Sequence, residues 1–217
     1  MTVSFVGRSK RLRNQLVALF VLGFLALLAF SSYTAFQDKK ELVIRERKQY
    51  LQGIVNTLAL QLDGEAHQRL MQRYQKQDAI SATQQDSLYA AMHRSLRQVQ
   101  QANGIATDIY TLILRPGYGQ DSLQNAMCFG VTSGINPYFR HKYTPPKVLV
   151  ARYQQGGTYG PYTDEHGQWL SAFAPITTQE GEVAAIVMAD IPLQQCIDEI
   201  YDQFYKEGAI SLAVFLA

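Results

Sequence analysis

Two apolar runs bracket a largely polar middle, and they constrain this chain more than any other feature. The first, residues 16–30 (LVALFVLGFLALLAF), contains no charged residue. With its uncharged neighbours it reaches the roughly 20 residues that cross a hydrocarbon core. The second, residues 208–217 (GAISLAVFLA), is too short to span as it stands. We therefore expect one domain held between two membrane crossings, the second of them truncated.

Basic residues before the first run predict its orientation, because such residues tend to stay in the cytoplasm. They are Arg8, Lys10, Arg11 and Arg13. The expected organisation is a cytoplasmic amino terminus over residues 1–13, transmembrane helix 1 over 14–36, an extracytoplasmic domain over 37–207 and the start of transmembrane helix 2 over 208–217.

Each apolar run has an alternative interpretation. A cleaved signal peptide also combines a basic start with an apolar centre, so the first run fits that description too. The second run fits a carboxyl-terminal core strand. We favour a membrane anchor, because a secreted protein has no need of a second apolar tail.

Composition narrows the class of the middle segment. Its length of about 170 residues suits one ordinary domain. The net charge of +2 comes largely from the basic residues before the first run, and the rest carries no basic stripe of the kind that binds nucleic acid. Cys128 and Cys196 lie far apart without metal spacing. They could form a disulfide outside the cytoplasm, but we favour two small buried apolar residues.

Helical periodicity dominates the first half. Residues 38–74 contain no proline, and apolar residues spaced by three, four and seven predict one long helix with a single apolar face. They are Ile44, Leu51, Val55, Leu58, Leu62, Ala66 and Leu70. The membrane-proximal turns of this helix are the expected place of a homodimer contact. Residues 75–83 form a polar loop, and residues 85–102 predict a second helix that ends at Asn103-Gly104.

The second half changes to a strand pattern. Strands are predicted at residues 105–114, 124–131, 168–176 and 182–191, the last apolar enough to be buried on both faces. A long loop covers residues 132–162, and a closing helix covers 191–205. Strands joined by short turns, with the helices set apart, indicate an antiparallel sheet in an α+β domain.

The order of these elements, together with a motif near the carboxyl terminus, resembles the Cache family. The matching residues are Gly160-Pro161-Tyr162-Thr163-Asp164, Gly167, Trp169, Ser171, Pro175-Ile176 and Gly181 to Ile191, with Leu62 to His67 as an upstream phrase. Cache domains are PAS-like extracytoplasmic sensors of bacterial transmembrane receptors. The resemblance covers residues 37–207 and suits a single Cache module. It implies a ligand-sensing input domain, periplasmic and anchored in the inner membrane, which signals to a cytoplasmic output.

One subgroup of double Cache domains binds amino acids, and its motif carries over in part. The matching positions are Arg140 and Tyr143, then Tyr162 and Asp164, and finally Asp190. By this resemblance the guanidinium grips a carboxylate, the two acidic side chains receive an ammonium group, and the tyrosines form walls. Lys142 stands where the motif has tryptophan. Either the extra cation favours a dicarboxylate or another anion, or the amino-acid specificity of the motif does not apply to this chain.

Local structure offers a second role for several of these residues. Asp190 precedes Ile191-Pro192 and is suited to cap the closing helix. Asp164 begins a turn, where aspartate commonly bonds to its own backbone. Arg140 and Lys142 fall in a loop and could be solvated. Trp169, Ser171 and Phe173 share one strand face, on which we expect the tryptophan and the phenylalanine to pack in the core.

Catalytic and metal motifs are missing from the sequence. The histidines (His67, His93, His141 and His166) are scattered, and no hydrolase, metalloprotease, nucleotide or CxxC motif occurs. We therefore expect no enzyme activity, metal or cofactor in these residues. The expected partners are a small polar or anionic ligand, the membrane and a second copy of the chain. The alternative function is a structural or interaction module that binds no ligand.

Overall fold

The computed structural model describes residues 4–114 and 127–216. In chain order the elements are α1 (Ser4–Gln61), α2 (Gly64–Arg73), α3 (Ser87–Ala102), β1 (Tyr110–Leu114), β2 (Met127–Thr132), β3 (Lys142–Tyr143), α4 (Lys147–Ala151), β4 (Gly157–Asp164), β5 (Gly167–Thr177), β6 (Val183–Pro192) and α5 (Leu193–Leu216). The predicted α+β class, a long amino-terminal helix with an antiparallel sheet, is confirmed.

The chain divides into two compact units. One combines Met1–Val43 with Ile200–Ala217, and in it the ring of Phe36 lies 5.3 Å from that of Tyr201. The other, Ile44–Glu199, contains the whole sheet.

One helix in the described part of the chain is long and apolar enough to cross a membrane, and it lies near the amino terminus. This agrees with the first predicted span, although a signal sequence near the amino terminus satisfies the same criteria of length and composition. At the other end, α5 continues to Leu216, so the alternative of a core strand over residues 208–216 is wrong. The predicted domain boundaries stay predictions.

The sheet is antiparallel throughout, with the strand order β3-β2-β1-β6-β5-β4. β6 lies between β1 and β5, and residues 185–189 are fully buried, as the apolar run predicts. The predicted strand at 168–176 is confirmed as β5. The strand predicted at 124–131 is confirmed as β2 from Met127 onward, and residues 124–126 lie outside the described residues.

The helices supply an apolar layer for one face of the sheet, which we call the helical face. Its core includes Leu51, Val55, Leu58, Leu70 and Leu96, together with the strand residues Ile113, Ala172, Ala174, Val187 and Ala189. One polar pair is buried with them: His67 Nε2 lies 2.8 Å from Thr111 Oγ1. The buried thiols of Cys128 and Cys196 confirm that these cysteines are small core residues.

The single helix predicted over residues 38–74 is wrong, because the chain breaks it at Asp63. The carboxylate of Asp63 accepts the backbone N–H of Ala66 at 2.9 Å and so caps a new helix, α2. Gly64 follows, and a Cβ at this position would lie 2.4 Å from the carbonyl oxygen of Thr177. The predicted apolar positions from Leu51 to Leu70 are nevertheless buried on both sides of the break, and Ile44 is half-buried.

Two other predictions need correction. β1 begins at Tyr110 rather than residue 105, since the Gln100 side chain donates to the Thr107 carbonyl at 2.7 Å before the strand starts. The predicted loop 132–162 contains β3, α4 and most of β4. β3 is two residues long, and glycine with proline interrupts the alternation of β4, so neither gives a strand pattern.

Candidate ligand-binding site

The other side of the sheet, which we call the tyrosine face, gathers aromatic and polar side chains from all six strands. Paired residues in an antiparallel sheet point to the same side. Tyr159 pairs with Ser171, and Ser171 pairs with Asp190, so these three side chains form a row across β4, β5 and β6. Tyr110 and Tyr143 join them from β1 and β3.

The carboxylate of Asp190 is at the centre of a hydrogen-bond network. One oxygen accepts the Tyr110 hydroxyl at 2.8 Å, and the other accepts the Ser171 hydroxyl at 2.5 Å. Tyr162 Oη lies 3.2 Å from Ser171 Oγ. Because a serine has one hydroxyl proton and Ser171 gives it to Asp190, Tyr162 must act as the donor in that contact. Three hydroxyls thus orient one acidic group.

Aromatic rings form the walls around this network. The rings of Tyr159 and Tyr162 lie 5.0 Å apart, and those of Tyr110 and Phe129 lie 5.1 Å apart. Tyr143 packs edge-on against Phe129 at 5.5 Å, within the range of favourable aromatic pairs. Its hydroxyl lies 3.4 Å from that of Tyr159, so the two walls meet.

Burial tunes the acidity of the site. Burial is the main cause that raises the pKa of Asp190 to about 6; the hydrogen bonds from Ser171 and Tyr110 oppose this rise, and the nearby charge of Asp164 adds to it. Burial also raises the pKa of Tyr143 to about 12 and lifts the pKa of Tyr159 and Tyr162 well above their ordinary value. The tyrosines are therefore neutral, and Asp190 is the group that can change charge near neutral pH.

The structure brings together three of the six predicted site residues: Tyr143, Tyr162 and Asp190. It places Arg140 elsewhere, where the guanidinium donates to the carbonyls of Tyr74, at 2.6 Å, and of Met71, at the end of α2. These carbonyls lack partners within the helix, so Arg140 completes a helix terminus.

Lys142 also lies away from the tyrosine face. It is exposed and pairs with Cys128, whereas its neighbour Tyr143 pairs with Met127. Successive strand residues point to opposite sides of the sheet, so Lys142 points away from Tyr143 and the site.

Asp164 was predicted to be either a ligand contact or a turn residue, and Asp190 either a ligand contact or a helix cap. Asp164 Oδ1 accepts the backbone N–H groups of His166 and Gly167 and the indole N–H of Trp169, at 2.8, 3.1 and 2.9 Å. It therefore forms the predicted turn and holds Trp169 half-exposed, where we expected core packing. Asp190 lies inside β6 and bonds to the site hydroxyls, and its predicted role as a helix cap is not what its hydrogen bonds show.

Sequence reasoning missed Tyr159 and assigned no role to Tyr110 or Ser171. The usable signal was the alternation of β5, which puts Ser171 between Trp169 and Phe173 on one face. Tyr159 was obscured because the glycines and Pro161 of β4 hide its pairing with β5. Reading residues 157–177 as a hairpin would have brought Tyr159 beside Ser171.

Two clefts lie away from this network. One, of about 450 Å³, is lined by residues that include Arg97, Asp108 and Tyr138, and the other, of about 270 Å³, by Trp169, Pro192 and neighbouring turn residues. Neither cleft is lined by Asp190. Within residues 4–114 and 127–216, no group of three His, Cys, Asp or Glu side chains is placed to hold a metal ion.

No protein-family model matches this chain, and no curated protein matches its sequence. Solved structures with a similar fold include the Escherichia coli DcuS sensor domain, at 13% identity and a TM-score of 0.45, covering 74% of this chain and 98% of that domain. The Campylobacter jejuni Tlp3 sensory domain with isoleucine bound has 8% identity and a TM-score of 0.41, and covers 78% of this chain and 64% of that domain, less than two-thirds of its length.

The ligand-binding domain of the Pseudomonas aeruginosa amino acid chemoreceptor PctC, in complex with GABA, has 15% identity and a TM-score of 0.35, covering 71% of this chain and 68% of that domain. All three are Cache or PAS-like sensor domains, the kind of domain that the sequence resembles. Because their TM-scores lie below 0.5, these similarities do not establish a function for this chain. The evidence on function is the geometry around Asp190.

Proposed function

We propose that this chain carries the ligand-sensing input domain of a bacterial transmembrane receptor, with its ligand site around Asp190. The observation that carries the proposal is a partly buried carboxylate that receives two hydroxyl hydrogen bonds and has no ion-pair partner in the described part of the chain. Burying an unpaired charge is costly, so a cation placed beside this carboxylate would stabilise its charged form.

The ligand group that fits this site is ammonium. A cation beside Asp190 would restore the charged form of the carboxylate, and the faces of Tyr159 and Tyr162 would add cation–π attraction. Arg140 and Lys142 bring no positive charge to Asp190, so a carboxylate on the ligand would need another partner. The common requirement is therefore an ammonium group, carried by an amine or by an amino acid.

The test is a calorimetric titration of the full 217-residue chain in detergent with four probes. Methylammonium carries only the positive group, acetate only the negative group, and L-valine and GABA carry both. We expect binding by probes with an ammonium group and none by acetate. Asp190→Asn should weaken it at least tenfold, because the paired charge is lost. The matched control Asp198→Asn, at an exposed carboxylate on α5, should bind as the wild type does.

Other outcomes decide between the alternatives. Binding that survives Asp190→Asn would move the ligand site elsewhere while keeping a sensor. Binding of acetate alone would contradict the ammonium assignment. If a broad metabolite library gave no binding, the structural or interaction module would become the better description.

The membrane arrangement is part of the same proposal. Residues 37–207 would lie outside the inner membrane between two spans, with α1 contributing to a homodimer. A reporter fused after Gln100 should score extracytoplasmic, and a cytoplasmic score would overturn the topology. Crosslinking in intact cells through a cysteine introduced at an exposed position of α1, such as Gln49, should trap a dimer.

A further inference from the structure

Two consecutive residues of α1 contact elements next to the site. Lys48 contacts β4, which carries Tyr159 and Tyr162, and Arg47 contacts α5, which follows Asp190. The Lys48 ammonium donates to the carbonyl oxygen of Gly160 on β4, and the Arg47 guanidinium pairs with the carboxylate of Glu199 on α5. Both contacts lie within the unit Ile44–Glu199. One turn of α1 is thus tied to two separate elements.

Gly160 lies on β4 between two residues of the site, Tyr159 and Tyr162. It follows Tyr159 and precedes Tyr162 by two residues, and the pairing of β4 with β5 shifts register between these tyrosines. Gly160 has a φ of +97°, and a Cβ here would lie 2.5 Å from the Trp169 carbonyl oxygen, so only glycine fits. A movement of either tyrosine towards a ligand would therefore move the carbonyl that Lys48 holds.

The hydrogen-bond partner of the Lys48 ammonium is a neutral carbonyl rather than a carboxylate. The Lys48 ammonium is partly withdrawn from water where it meets Gly160, and this burial lowers its pKa. A desolvated ammonium depends on its hydrogen bond more than an exposed one does. A small displacement of Gly160 should therefore change the energy of this turn of α1.

The second contact reaches the site from the other side. α5 begins at Leu193, three residues after Asp190, and Glu199 lies within its first two turns. The side chains of Arg47 and Glu199 are 36% and 34% exposed. An ion pair this exposed contributes about 0–1 kcal/mol. We therefore expect it to link the site to α1 more weakly than the Lys48 contact does.

We infer that Lys48, assisted by Arg47, transmits the state of the Asp190 site to α1, the helix whose earlier residues form the candidate membrane span. This inference rests on the proposed function, because it assigns an output to the same site. It makes Lys48 a positioning residue: its side chain touches β4 behind the tyrosines and acts on the ligand only through them.

The experiment needs no ligand, so its result is independent of the titrations above. Hydrogen–deuterium exchange of the α1 amides at residues 44–52 is measured in the full chain in detergent, for the wild type, Asp190→Asn, Lys48→Met and the double variant. We expect Asp190→Asn to change exchange at these amides about fivefold or more, the lower range of allosteric couplings. In the Lys48→Met background the change should fall below about twofold.

Arg45→Met is the matched control, since Arg45 is an exposed cation on the same helix. The response to Asp190→Asn should persist in that background. Circular dichroism checks that each variant folds, and Lys48→Gln replaces Lys48→Met if the latter does not. A response that survives the loss of Lys48, or no response to Asp190→Asn at all, would overturn the inference even if ammonium probes bind. A response abolished equally by Arg45→Met would overturn it as well.

Discussion

The two faces of the sheet bury titratable groups in opposite ways. On the helical face, His67 sits among aliphatic side chains with Thr111 as its hydrogen-bond partner, and its Nδ1 has no partner among the described residues. On the tyrosine face, Asp190 is surrounded by hydroxyls that are oriented towards it. The first arrangement leaves a buried group with one hydrogen-bond partner, whereas the second gives each carboxylate oxygen a hydroxyl donor.

The pKa values follow from this difference. Burial lowers the pKa of His67 to about 4, so that the imidazole is neutral near pH 7. Asp190, with its pKa raised to about 6, is near its point of titration at neutral pH. The helical face therefore holds its buried histidine neutral near pH 7, whereas the tyrosine face holds a carboxyl group that changes charge near neutral pH.

The largest expected effect tests the helical face as the main source of stability. Leu58 is 0% exposed and Leu60 is 90% exposed, two residues apart on α1. Leu58→Ala should lower the free energy of unfolding by about 2–5 kcal/mol, because it opens a cavity in the core. Leu60→Ala should change it by less than about 0.5 kcal/mol. Urea unfolding at pH 7 measures both, and equal effects would contradict the assignment of the core.

His67 should make the fold sensitive to acid. Since its pKa is lowered from 6.5 to about 4 on folding, its stabilising contribution is complete above pH 6.5 and is lost as the pH falls through 4. The shift corresponds to about 3 kcal/mol. Urea unfolding between pH 7 and pH 4 should show this loss in the wild type relative to His67→Gln. The exposed-histidine variant His166→Gln should keep the wild-type dependence, and a slope unaffected by His67→Gln would refute the prediction.

Asp190 should give the opposite slope. Because its pKa is raised from 3.8 to about 6, its stabilising contribution is complete below pH 3.8 and is lost as the pH rises through 6. Asp190→Asn should therefore gain stability relative to the wild type between pH 4 and pH 7, by up to about 3 kcal/mol. The same unfolding series measures it. A difference that does not grow with pH would show that the tyrosine face accommodates the charge without cost.

The smallest effect concerns the outer surface of α1, away from both faces. A Cβ built on Gly53 meets nothing within 4 Å, and its backbone is helical. Gly53→Ala should raise the free energy of unfolding of the monomer by about 0.5–1 kcal/mol, since glycine is a poor helix former. Thermal melting at low concentration measures this. If Gly53→Ala instead lowers the stability of the protein at concentrations where a dimer forms, a close contact between two copies of α1 at Gly53 would explain why this position is glycine.

The fold was largely predictable, and the site only in part. The positions of Leu51, Val55, Leu58 and Leu70 follow from helical periodicity, and β6 follows from its continuous apolar run. The break at Asp63 was not predicted, because the apolar residues keep their helical spacing on both sides of it. Only the cap of α2 at Asp63 marks the break. β4 was missed because glycine and proline interrupt its alternation.

For the site, the structure brings together Tyr143, Tyr162 and Asp190, three of the residues that the motif selected. Spacing along the chain could not show where the side chains of the other selected residues point. Arg140 is two residues from Lys142, yet its guanidinium completes the end of α2, which is more than 60 residues earlier in the sequence. Whether the grouped residues bind a ligand stays a prediction.

The sequence by itself determined the apolar run near the amino terminus, the amphipathic helices and the buried strands, since each depends on the local order of polar and apolar residues. Only the tertiary structure decided that Asp190 meets Tyr110 and Ser171, and that Lys48 meets Gly160. These pairs are separated by 19 to 112 positions, so their contacts arise from strand register and helix packing, which no local pattern encodes.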